Sequence, residues 1–127
     1  MWKEVNIDGD GVLGFECTGK LSKQDFETMH VWLDRELEAA TDKPALVIFM
    51  GAFKGYESAG AIWADMKVDA RHANDFSRVA MISDRKWIEW GTKTANLVMG
   101  TDLKWFDTDD REAAVTWARG DQPTGVA

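Results

Sequence analysis

The chain has 127 residues, 45% of them apolar, and a formal net charge of −7. That length suits one domain with one core, and that apolar share excludes wholesale disorder. The acidic balance repels phosphate backbones, which argues against nucleic acid as a partner and disfavours bulk anionic membrane wherever no local basic patch overrides it.

In chain order, Lys3 to Ile7 reads as a short first strand, with Val5 and Ile7 on one face. Asp8-Gly9-Asp10-Gly11 follows, and Asp-Gly favours a tight hairpin turn. Val12 to Thr18 is the second strand, with Leu13, Phe15 and Cys17 alternating with smaller or polar neighbours. Ser22 and Asp25 have capping-box spacing, and Leu21 can pack on Phe26 across the helix start as a hydrophobic staple. Phe26, Met29, Leu33 and Leu37 then form the apolar stripe of a helix that stops near Thr41, before Asp42-Lys43-Pro44. Ala45 to Met50 is continuously apolar, the pattern of a central parallel strand covered on both faces. Gly51 to Tyr56 reads as a loop whose glycines allow movement.

A second helix is expected over about 58–74, with Ile62, Met66, Ala70 and Ala73 on one stripe. Phe76 to Ile82 is the next strand. Ser83 and Asp84 can cap a third helix running from about Arg85 to Met99 and ended by Gly100. Leu103 to Phe106 is the last strand. Asp109 and Glu112, in capping-box spacing, start a short final helix through Ala113, Ala114 and Trp117. The order β-β-α-β-α-β-α-β-α implies an α/β domain with a mostly parallel sheet and one antiparallel edge strand. One domain over 1–119 is expected, with a frayed tail over 120–127 made of turn-forming and small residues.

Several strings in this order carry a resemblance. They are Leu13-Gly14-Phe15 leading to Gly19-Lys20-Leu21 and Asp25-Phe26; Phe53-Lys54-Gly55-Tyr56; Trp63-Ala64-Asp65-Met66-Lys67; Asp84-Arg85-Lys86-Trp87-Ile88-Glu89-Trp90; and Glu112-Ala113-Ala114 with Trp117. Together they resemble the SpoIIAA-like family, relatives of the STAS domain. The resemblance implies a sheet-and-helix domain also likened to CRAL-TRIO lipid-transfer domains. It implies no enzyme activity, and a ligand-binding, membrane-associating or signalling role in which mobile helices open and close a cavity. Anti-sigma-factor antagonists of the wider STAS group carry an Asp-Ser-(Ser/Thr)-Gly string whose serine is phosphorylated. Here Glu57-Ser58-Ala59-Gly60 stands nearest, with Ala59 in place of the second hydroxyl.

The residues themselves offer little catalytic chemistry. Asp65 and Asp69 could pair one helical turn apart, but no nucleophile with a base, phosphate loop or metal signature accompanies them. Asn6-x-Asp8-x-Asp10-Gly11 opens like a calcium loop, yet Cys17 occupies the twelfth position, where a bidentate Glu is needed. Asp69 and His72 share a helical face without further placed ligands, and His30 and His72 read as surface or half-buried imidazoles. Cys17 is the lone cysteine, which excludes an intramolecular disulfide, fits a reducing compartment, and on its strand reads as a small core residue. Ser58 reads as a helix N-cap, with phosphate acceptance as the alternative. No cofactor or metal is expected.

The surplus is aromatic. Seven tryptophans are an unusual number, and a Trp-rich core is the plain reading of any one of them. In the third predicted helix, Trp87, Ile88, Trp90, Leu97 and Val98 cover more than one stripe, among the basic Arg85, Lys86 and Lys93. That combination suits a membrane interface, a ligand cavity, a homodimer face or packing on the second helix. The expected function is non-enzymatic binding of an apolar or amphipathic small molecule, such as a lipid. Trp63, Met66, Trp87 and Trp90 would line the site, with Phe53 and Tyr56 at its mouth. The rival reading is an anti-sigma-antagonist type of signalling module switched at Ser58. Neither a signal-peptide core nor a stretch of about 20 apolar residues stands in the sequence, so a cytoplasmic location is expected, with peripheral contact at the inner membrane as an option.

Overall fold

A computed structural model describes residues 1–7, 11–40, 43–58, 60, 75–83 and 102–120. Its elements are β1 (Trp2–Glu4), β2 (Val12–Leu21), α1 (Lys23–Ala39), β3 (Ala45–Tyr56), β4 (Arg78–Ile82), β5 (Asp102–Phe106), a 3-10 turn (Thr108–Asp110) and the C-terminal helix α2 (Arg111–Arg119). The five strands form one sheet in the order β1-β2-β3-β4-β5. β1 pairs antiparallel with β2, and every other pair is parallel. The expected mostly parallel sheet with an antiparallel edge is therefore present. The second and third expected helices, over 58–74 and 85–99, lie largely or wholly outside the described residues.

The continuous apolar run of β3 divides between two faces, as period-two backbone requires. Leu46, Ile48 and Met50 join Phe15, Cys17, Leu21 and Val79 under the α1 stripe of Phe26, Met29 and Leu33. Ala45, Val47 and Phe49 join Ala80, Ile82 and Phe106 under Ala114 and Ala118 of α2. Leu37 is half-buried at the end of its stripe. Cys17 is 2% exposed within the first cluster, the small core residue its alternation implies.

α1 begins as its sequence dictates. The Ser22 hydroxyl accepts from Asp25 N–H at 3.1 Å, and Asp25 Oδ2 accepts from Ser22 N–H at 2.8 Å, closing the capping box. Leu21 and Phe26 are both buried beside it. The start of α2 departs from expectation. Asp107 caps a 3-10 turn by accepting from Asp109 N–H at 3.4 Å, and Asp109 lies inside that turn. Asp110 precedes α2 without a side-chain cap.

Among the described residues, the stretch after β1 covers β2 on the second face. A Cβ on Gly14 would stand 2.5 Å from Ile7 Cδ1 and 3.1 Å from the Val5 carbonyl oxygen. Glycine there lets the Val5–Ile7 stretch cross the sheet, and Val5 and Ile7 pack on the α2-side core. The β1 ladder consequently ends at Glu4, two pairs after Trp2, and Val5 N–H donates to the Gly14 carbonyl at 2.9 Å. This strand was expected to reach Ile7. Asp8 to Asp10 lie outside the described residues.

Candidate ligand-binding site

The segment expected to be a loop, Gly51 to Tyr56, is strand: β3 runs unbroken through it. Two bulges make this possible. Between the pairs Glu16–Phe49 and Thr18–Ala52, β2 advances two residues and β3 three. Between Gly19–Phe53 and Lys20–Gly55, β2 advances one and β3 two. Each bulge adds one residue on β3, so residues three apart face the same way there instead of two apart. Met50, Phe53 and Tyr56 all join the α1-side core by this route. Gly55 takes φ +121° at the second bulge, a conformation that favours glycine.

Beyond Phe49, the last β3 residue paired with β4, the strand continues along β2 alone among the described residues. Its end carries an aromatic group. Tyr56 stacks on Phe26 of α1 at 5.9 Å between centroids and 26° between planes, and meets Phe53 edge-on at 5.5 Å. Phe53 is 1% exposed, among the most deeply buried side chains, while Tyr56 is half-buried. Of the two residues expected at the mouth of a site, Phe53 is thus a core residue and Tyr56 is half-buried beside it. Phe26 is the partner that sequence reasoning assigned to the helix stripe and to the staple with Leu21. Its stacking on Tyr56 follows from the bulged register, which leaves no mark in local spacing.

Ser58 is exposed, in the bend directly after β3. Trp63, Met66, Trp87 and Trp90, the expected lining, lie outside the described residues, as do Arg85, Lys86, Lys93, Asp65, Asp69 and His72. Among the described residues, Trp2, Trp32, Trp105 and Trp117 are all half-buried. Trp2 Nε1 donates to Thr28 Oγ1 at 2.9 Å, and its ring leans on Phe15 and Trp32 at 6.2 and 5.4 Å. The buried Nε1 atoms of Trp32 and Trp105 meet no acceptor among the described residues.

Ionisable side chains on α1 and the first two strands have partners within the fold. Burial acts to raise the Asp25 pKa, but hydrogen bonds from the Ser22 backbone and hydroxyl, together with the Met1 ammonium 3.4 Å away, outweigh it and hold the carboxyl below its usual value. His30 Nε2 lies 3.3 Å from Asp34 Oδ2 one turn on, half-buried as read from the sequence. Glu16, one place before the required calcium ligand, instead faces Lys3 at 3.3 Å across β1 and β2. Among the described residues, no group of three or more His, Cys, Asp or Glu side chains could hold a metal ion, and no helix is long and apolar enough to cross a membrane.

The fold, the α1 cap and the aromatic end of β3 fall within the stretch that matches a known family. Residues 12–119 match the family model described as SpoIIAA-like. The chain belongs to the SpoIIAA-like family. The matched stretch of this SpoIIAA-like chain runs from the first residue of β2 to the last of α2, so β1 lies outside it. A crystal structure of an uncharacterized protein with a SpoIIAA-like fold, from Shewanella loihica PV-4, is similar at 29% identity, with a TM-score of 0.78 over 93% of this chain and 92% of that one. No curated protein matches the SpoIIAA-like chain. SpoIIAA-like and STAS domains are generally non-enzymatic.

Proposed function

We propose that this SpoIIAA-like chain is a non-enzymatic module that binds an apolar or amphipathic small molecule of lipid type. The observation that carries the reading is Tyr56, half-buried at the carboxyl end of β3 on a base of Phe26 and Phe53. Ligands of open α/β sheets bind beyond the carboxyl ends of strands, and apolar sites place a few polar tips on aromatic walls. Tyr56 supplies such a wall and such a tip. Trp63, Met66, Trp87 and Trp90 are assigned to the rest of the lining. Arg85, Lys86 and Lys93 are the basic residues that would meet lipid headgroups in a peripheral membrane contact from the cytoplasmic side.

Native mass spectrometry of freshly purified protein tests this. An adduct of lipid or metabolite mass, lost on denaturation and lost in Tyr56→Ala and in Trp87→Ala with Trp90→Ala, is the expected result. A mass without adduct overturns the cavity reading, and a clean dimer mass would assign the aromatic surplus to a homodimer face instead.

The exposure of Ser58 directly after β3 favours a second reading, a signalling module switched by phosphorylation there. Incubation with candidate kinases and a mass increase of one phosphate, absent in Ser58→Ala, would support it.

A further inference from the structure

We draw no further inference here: the strongest candidate, the pair of cations Arg78 and Lys104 against Trp117 of α2, carries nothing because Arg78 already donates to the Trp117 carbonyl at 2.7 Å, Lys104 already lies over the Phe106 and Trp117 rings, and nothing among the described residues there points to a ligand.

Discussion

Ser22 and Asp25 hold one another across the first turn of α1, and part of the acid sensitivity of the fold originates there. The folded-state pKa of Asp25 lies below its ordinary value of about 3.8. The stability it contributes is therefore complete above that value and is lost as pH falls through the lowered folded one. Asp25→Asn should flatten the acid side of the stability–pH curve while leaving its slope near neutrality unchanged, measured by urea unfolding at a series of pH values. An equally steep acid limb in the variant would assign that limb to other carboxylates. Ser22→Ala should cost about 1 kcal/mol at neutral pH, the usual loss for an N-cap hydroxyl. Gly14 offers a sharper residue-scale test. Gly14→Ala forces a methyl against Ile7 Cδ1 and should cost about 1–3 kcal/mol by overpacking. Ile7→Val removes that Cδ1 atom, so the double variant should recover part of the loss, and simple additivity of the two changes would disprove the contact.

At the scale of elements, the outer part of β3 is decided by its bulges. Gly55→Ala places a side chain in a backbone conformation that L residues rarely adopt and should cost about 1–3 kcal/mol. Among the described residues, no atom beyond its chain neighbours lies within 4 Å of the added Cβ, so backbone strain is the cost expected there. It should appear as a lower urea midpoint, with amide shift changes concentrated in Gly19 to Leu21 and Phe53 to Tyr56. Changes spread evenly over the sheet would show that the bulge is not a local device. α2 depends on a contact made across 39 residues of sequence. The Arg78 guanidinium donates to the Trp117 carbonyl and stands 5.2 Å from the centre of its ring. Arg78→Gln should weaken both interactions at a cost of about 1–3 kcal/mol, since hydrogen bonds from charged groups are the stronger class. Near-UV dichroism from tryptophan should change along with the stability.

The whole molecule sets the aromatic end of β3 into the core that α1 covers, and this separates packing from binding. Phe53 is almost fully buried, so Phe53→Ala should destabilise the domain by about 3–5 kcal/mol whatever the protein binds. Tyr56 sits at the edge of the same cluster, so Tyr56→Ala should affect a bound molecule more than it affects the fold. A Tyr56→Ala protein that retains its adduct, measured beside a destabilised Phe53→Ala protein, would confine this cluster to packing. Two polar side chains outside the core, Glu16 and His30, face Lys3 and Asp34. Surface pairs of this kind contribute about 0–1 kcal/mol, and their removal should leave both fold and binding nearly unchanged.

Short-range periodicity and local hydrogen bonding are what could be read from the residues in advance. The capping box, the α1 stripe, the alternation of Phe15 and Cys17 and the two-faced apolar run from Ala45 to Met50 are all present in the structure. These are legible because a helix repeats every 3.6 residues, a strand repeats every two, and a cap spans one turn. Other features come from how distant parts of the chain meet. The bulges turned the spacing of Met50, Phe53 and Tyr56 from two to three, which disguised a strand as a loop and hid the stacking of Tyr56 on Phe26. The same holds for Ile7 lying over Gly14, for Asp107 replacing Asp109 as a cap, and for Arg78 reaching Trp117. Apart from the Asp107 cap, which is a contact two residues long, each depends on which strand or segment arrives alongside, and a local sequence pattern carries no record of that.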